Sequence, residues 1–326
     1  MHPFAFRRAA DASAASLLAR ESGSQVIAGG TDLLQLLKDD VQQPQRLVDI
    51  TGLPWRGIES GPEGLRLGAL AHMSEVADAP AVRDGFPAIS EALLASASPQ
   101  VRNMATMGGN LLQRTRCVYF RDVTTPCNRR APGSGCSAID GENRMHAVLG
   151  GSERCVATHA SDLAVALVAL DAVVVLSGPA GERRVPVEVF HRLPGETPER
   201  ETVLEPGELI AAIEVPAAAH AARSRYLKVR DRASFEFAVA SAAAALEIEG
   251  GVIRQARLAL GGVATKPWRA REAEATLVGH RPVPASFVAA ADQALAGAKP
   301  LRQNAFKIEL AKRTVVRALS AAAVGA

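Results

Sequence analysis

Cys117, Cys127, Cys136 and Cys155 are the only thiols in the chain, spaced C-x9-C-x8-C-x18-C. Four thiolates are the ligand set of a [4Fe–4S] cluster or of a tetrahedral zinc ion. Structural zinc usually takes its cysteines in pairs two to four residues apart, and no such pair is present. Disulfide bonding is a third reading. Arg114, Arg116, Arg121, Arg129 and Arg130 crowd the same stretch. Positive charge favours thiolate over thiol and offsets the charge of a cluster. Pro126, Pro132, Gly133, Gly135 and Gly141 suit a loop wrapped around a ligand. His146 and His159 lie nearby; four thiolates already complete a ligand set, so these two are read as surface or hydrogen-bonded histidines.

Two glycine pairs form the second constellation. In Ala28-Gly29-Gly30-Thr31-Asp32-Leu33-Leu34 the pair sits between an apolar run and a helical pattern. Glycine lets the backbone approach a phosphate and aim successive N–H groups at it, and a helix N-terminus adds positive charge. The plainer reading is a tight turn with Asp32 as helix cap. The motif is not G-x-G-x-x-G, so an ordinary dinucleotide fold of that kind is not supported. Ala105-Thr106-Met107-Gly108-Gly109-Asn110-Leu111 repeats the pattern. Two such loops suit a dinucleotide gripped at both ends.

The elements that must carry these loops follow from periodicity. A helix over residues 10–22, a buried strand Gln25–Ala28, a helix beginning at Leu33 and a strand Arg46–Ile50 alternate as in a small parallel α/β unit. Leu65–Ala69 alternates as a half-exposed strand, a helix follows with Ser74 as its expected cap, and residues 87–97 form another. The stretch 114–155 has no usable period, and an irregular loop of that length normally binds something. A helix runs from Ser161 to Leu170 and a strand over Val173–Leu176. Residues 178–220, rich in proline and charge, read as a connection to a second domain. The alanines after Phe235 invite a helix, but Glu249-Gly250-Gly251 followed by Val252–Leu258 favours a hairpin of two long strands. Residues 269–278, 285–297 and 303–324 read as alanine-rich helices.

The composition, 48% hydrophobic and 22% charged, supports a full core. A net charge of +3 calls for no nucleic acid or membrane partner. After Arg7-Arg8 the chain is interrupted by Asp11, Arg20 and Glu21, so no signal-type apolar core follows. The expected location is therefore cytoplasmic, or periplasmic by co-export with a signal-bearing partner.

Ala28–Leu34, Val101–Leu111 and Ser161-Asp162-Leu163 together resemble the FAD-binding medium subunit of xanthine dehydrogenase-type molybdenum hydroxylases. Tyr226–Arg230 and Phe235–Leu246 resemble the C-terminal domain of carbon monoxide dehydrogenase flavoproteins. Gln113–Cys117, Cys127–Arg130 and Gly133–Cys136 resemble the FAD subunit of bacterial periplasmic aldehyde oxidoreductases, which carries an extra [4Fe–4S] cluster.

The resemblance implies an α+β chain. An FAD-binding domain over residues 1–219 pairs a small parallel α/β unit with a mixed or antiparallel sheet and carries a [4Fe–4S] loop at 114–156. A C-terminal domain over 220–326 packs an antiparallel sheet with a helical bundle. It implies FAD held by Ile27, Ala28, Gly29, Gly30, Thr31, Asp32, Leu33, Leu34 and Gln35 on one side and by Thr106, Gly109 and Asn110 on the other. Asp162 would accept hydrogen bonds from the ribityl or diphosphate region, and Lys228 would stabilise the reduced flavin. Read plainly, Asp162 is a first-turn acid on a helix dipole and Lys228 a solvated strand lysine.

Cys117, Cys127, Cys136 and Cys155 would hold the cluster. The large partner subunit would bear a molybdenum cofactor that oxidises an aldehyde, and the small partner would bear [2Fe–2S] centres. Electrons would reach FAD in this chain and leave to an external acceptor, with no catalytic acid or base supplied here. The same design could feed electrons inward, as in 4-hydroxybenzoyl-CoA reductase. A zinc-stapled nucleotide-binding module and a disulfide-framed extracellular protein are the readings outside this family; the missing signal and the cysteine-free second half speak against the latter.

Overall fold

The computed structural model describes residues 1–324. Strands β1 (Ala5–Arg8), β2 (Ser24–Ile27) and β3 (Arg46–Asp49) form a parallel sheet in the order β1-β3-β2. The helix Ala12–Arg20 crosses between β1 and β2, capped where the Ala14 N–H donates to Asp11 Oδ1 at 2.8 Å. The expected small parallel unit is therefore present, with one strand more than the sequence suggested. β1 escaped notice because all four of its residues are exposed, so nothing in Ala-Phe-Arg-Arg alternates.

The second sheet joins β4 (Ile58–Gly61), β5 (Gly64–Gly68), β6 (Val173–Gly178), β7 (Gly181–Pro186) and β8 (Leu209–Pro216) in the order β4-β5-β8-β6-β7. Every neighbouring pair is antiparallel. Residues 178–220 are thus not a linker. They supply an edge strand and the central strand, whose Leu209–Ile213 run is buried throughout. The helix Met73–Asp78 starts two residues earlier than a Ser74 cap would place it. His72 is its N-cap and its backbone N–H donates to Glu75 Oε2 at 3.0 Å, so Ser74 lies inside the first turn.

The third sheet is antiparallel, β12-β11-β10-β9, from β9 (Ser224–Val229), β10 (Ala240–Glu249), β11 (Val252–Gly261) and β12 (Trp268–Arg269). Gly250 and Gly251, at φ +59° and +74°, make the two-residue turn of the β10–β11 hairpin, a geometry that favours glycine at both positions. Residues 235–239 lie outside the strand they were expected to begin.

The alanine run is a strand because both of its faces are buried. Ala243 and Ala245 join the core of the second sheet and the helix Asp162–Ala169. Ala242, Ala244 and Leu246 join a separate core with the helices Arg271–Leu277, Pro284–Ala294 and Phe306–Val324. A period of two then reads as an unbroken apolar stretch. Small side chains let layers close on both faces, and one strand serves two cores. No helix of the described residues is long and apolar enough to cross a membrane.

Candidate functional site

The first glycine loop leaves β2 and enters the helix Leu33–Lys38. Gly30 takes φ +70°, a conformation L-residues avoid. Gly29 is glycine for another reason: a Cβ there would overlap the Met104 carbonyl oxygen, just before the second glycine loop. In that second loop Thr106 caps the helix Met107–Leu111, accepting from the Gly109 N–H at 3.2 Å, and Gly108 packs against Ala69. The two loops touch, so one cavity spans both.

That cavity measures about 980 Å³. Ile27, Ala28, Gly29, Gly30, Thr31, Asp32, Leu33, Gln35, Thr106, Gly109, Asn110, Asp162 and Lys228 all line it. Leu34 is the one predicted residue off its wall. It is exposed and its side chain packs against Gly30.

Asp162 and Lys228 meet rather than waiting separately for a ligand. Ser161 caps the helix, accepting from the Ala164 N–H at 2.9 Å, and so fixes Asp162 in its first turn. The Asp162 carboxylate accepts from Lys228 Nζ and Ser96 Oγ, each at 2.8 Å, and from the Tyr226 hydroxyl. Lys228 Nζ also donates to the Ala95 carbonyl at 3.1 Å. The Lys228 side chain is only 3% exposed and that of Asp162 5%. The expectation of a solvated strand lysine therefore fails: Lys228 is a buried cation with a fixed partner on the cavity wall. Burial, and then the Asp162 charge, hold the Tyr226 hydroxyl well above its usual range, so it stays a donor.

The Asp32 side chain does not cap its helix. Its carboxylate accepts from the Arg114 N–H at 2.8 Å, from Arg121 Nη2 at 2.8 Å and from Arg116 Nη2 at 2.9 Å. The first glycine loop is thereby tied to the start of the cysteine loop.

The four thiols are free and line one small second cavity. Regular structure is sparse there: the short helices Val118–Arg121 and Ser137–Asp140 and one bridge pairing Cys127 with Cys136. Polar side chains do the rest. Arg130 donates to the carbonyls of Tyr119 and Phe120, each at 2.7 Å, and Asn128 ties residue 135 to residue 154. The backbone N–H groups of Tyr119 and Phe120 point at the Cys117 sulfur, and those of Ala138, Ile139 and Val156 at Cys136.

Burial pushes the Cys117 thiol up to about 12 and raises Cys136. The thiolate forms therefore need a compensating positive charge. Among the described residues, no three His, Cys, Asp or Glu side chains are arranged to hold a single metal ion. The thiols share a cavity without converging on one point. Four free thiols around one shared space are a donor set that an iron–sulfur cluster or a zinc ion can use.

Arg129 lines both cavities. Its Nη2 donates to Cys155 Sγ at 3.6 Å, and its Nη1 pairs with Glu201 Oε2 at 3.0 Å. The remaining arginines of the cluster bond carboxylates and carbonyls, so the expected neutralisation of thiolate charge falls to this one. His146 Nε2 stands 3.1 Å from Cys117 Sγ, and burial lowers the ring to about 4. His159 lies on the wall of the large cavity, its ring edge-on to His191 at 4.3 Å between centroids. Burial keeps both of these rings neutral. His191 and Glu201 were not anticipated. They sit in the segment read as a linker, and the only signal was a density of charge unusual for a solvated connection.

A family model described as the FAD binding domain in molybdopterin dehydrogenase matches residues 3–218, and one for the CO dehydrogenase flavoprotein C-terminal domain matches 225–322. The chain is 46% identical over 325 residues, 99% of each chain, to the aldehyde oxidoreductase FAD-binding subunit PaoB of Escherichia coli. It is 29% identical to the carbon monoxide dehydrogenase medium chain of Hydrogenophaga pseudoflava, over 92% of this chain and 90% of that one. A solved carbon monoxide dehydrogenase from the same organism matches with a TM-score of 0.76 at 29% identity, covering 99% and 98% of the two chains. Quinoline 2-oxidoreductase from Pseudomonas putida matches with a TM-score of 0.76 at 25% identity, again over 99% and 98%.

Proposed function

We propose, from the premise that this chain belongs to the FAD-binding subunits of the molybdenum hydroxylases, that it is the FAD- and [4Fe–4S]-carrying electron-transfer subunit of an aldehyde oxidoreductase. In this reading a large subunit holds the molybdenum cofactor and a small one the [2Fe–2S] centres, and electrons pass through FAD here to an external acceptor. Residues 1–219 form the FAD-binding domain and 220–326 the C-terminal domain.

The observation that carries the reading is the pair of adjoining cavities. One is lined by both glycine loops with Asp162 and Lys228, the other by every thiol of the chain. Its volume suits a dinucleotide. FAD bound there supplies the electron-carrying chemistry, and the protein supplies position and electrostatics. The touching glycine loops present backbone to the diphosphate. Asp162, held by Lys228, Tyr226 and Ser96, keeps a fixed acceptor on the wall, and Lys228 keeps a fixed cation beside it. Cys117, Cys127, Cys136 and Cys155 hold the cluster, with backbone N–H groups already turned toward two of the sulfurs.

The test is the absorption spectrum and the metal and flavin content of the chain purified with its partner subunits. Flavin bands over a broad iron–sulfur shoulder are expected, with about four irons per complex beyond those of the partner's [2Fe–2S] centres, the content of one cube. A colourless, zinc-containing protein defeats the reading. In Cys127→Ser about four irons per complex should be lost, with the partner's [2Fe–2S] iron and the flavin largely kept. Unchanged iron in that variant contradicts the ligand assignment.

A further inference from the structure

Of the five arginines clustered around the thiols, four are committed elsewhere. Arg116 and Arg121 face Asp32, Arg114 pairs with Glu201, and Arg130 donates to backbone carbonyls. Arg129 alone among them reaches a sulfur, Cys155 Sγ. It is also the one arginine of the five that lines both cavities and is nearly excluded from solvent, with its side chain 8% exposed. Its other end is fixed by Glu201, a carboxylate it shares with Arg114, leaving one net positive charge over the three groups. Arg129 is the one arginine or lysine that donates to a cysteine sulfur among the described residues.

We infer that Arg129 is a positioning residue that sets the reduction potential of the cluster, and that Glu201 opposes it as a partial counter-charge. This rests on the cluster reading above. A cluster that takes up one electron gains one negative charge. An N–H donor carrying positive charge at a ligand sulfur stabilises that reduced form more than the oxidised one and raises the potential. The low-dielectric surroundings magnify the effect. Removing the cation lowers the potential; removing the carboxylate leaves the cation less compensated and raises it. Opposite signs from two residues that touch each other are not what general damage to the loop produces.

The experiment is a dye-mediated titration with dithionite of the complex purified with its partner subunits. Each cluster takes one electron, followed by electron paramagnetic resonance, with iron and flavin content measured on the same samples. For Arg129→Gln the ratio of reduced to oxidised cluster at a fixed potential should fall about ten-fold, a shift of about 59 mV for one electron. Arg129→Lys keeps the charge without the planar fork and should fall between that variant and the wild type. Glu201→Gln should shift the other way and keeps the inference testable if Arg129→Gln does not fold. Full iron with an unmoved potential in Arg129→Gln, or a shift of the same sign in Glu201→Gln, overturns the inference and leaves the cluster reading intact. A wild-type complex with no iron beyond that of its [2Fe–2S] centres overturns both.

Discussion

The wall of the large cavity and the wall of the thiol cavity hold their side chains by different means. Asp162 and Lys228 stand on a capped helix and on β9, with a sheet behind each. Their positions are set by backbone ladders and by a core that is almost wholly buried. The four cysteines stand on a loop with two one-turn helices, kept in place by Arg130, Asn128 and the Asp32 tie. The first wall keeps its geometry whatever the cavity contains. The second encloses four thiols, Cys127 and Cys155 buried and Cys117 and Cys136 half-buried, with little regular structure beneath them, so it gains most from a ligand that bonds all four.

The largest test of that contrast is Asp162→Ala. It leaves the Lys228 ammonium buried with only the Ala95 carbonyl and strips the acceptor from Tyr226, while Ser96 keeps the Ala92 carbonyl. Breaking one side of a buried ion pair costs about 3–5 kcal/mol, read as a lower urea midpoint of the whole chain. A loss under about 1 kcal/mol would place the pair among ordinary surface bridges and dissolve the claim that this wall is rigid. Gly29→Ala comes next. The new methyl meets a backbone carbonyl of the other glycine loop, not a yielding side chain, and overpacking of this kind costs about 1–3 kcal/mol. Flavin content should drop with it; flavin binding as tight as in the wild type would show that the loops need not touch.

What could be read from the sequence divides along the same line. The Gly250-Gly251 hairpin and the two glycine loops are local devices, whose chemistry acts within four or five residues. They were legible. So was the gathering of all thiols in one aperiodic stretch. The pairing of Asp162 with Lys228 joins residues 66 apart, and no local pattern marks it. Residues 199–205 carry the charges of a solvated linker, yet Glu201 closes the gap between the two cavities and β8 just beyond is the centre of a sheet. Ser74 has the right chemistry for a cap, but His72 reaches the helix start first because the chain enters from a bridge with Thr106.

Acid separates the regular scaffold from the loop in a smaller way. His191 beside the large cavity and His220 near Asp171 are both lowered to about 4 by burial. Unfolded, each takes up a proton near its ordinary value of 6.5. Between pH 6.5 and 4 the unfolded chain binds more protons than the folded one, so stability falls as pH is lowered through that window and is fully present above it. Urea midpoints measured across the window should drop on acidification. The slope should be shallower in a His191→Gln/His220→Gln double variant, and an identical slope would remove these two rings as the cause.

Asp32 gives the smallest effect and the sharpest reading, because it belongs to both regions. Its carboxylate is part of the first glycine loop and holds Arg114, Arg116 and Arg121 of the thiol loop. Asp32→Asn keeps an acceptor for the Arg114 N–H but removes the charge facing two guanidinium groups. The site is partly open to solvent, so the global cost should be only about 1 kcal/mol. The occupancies should respond more than the stability does. If the tie transmits order from one loop to the other, iron and flavin content fall together. If flavin alone falls, Asp32 serves its own loop and the two cavities are neighbours without coupling.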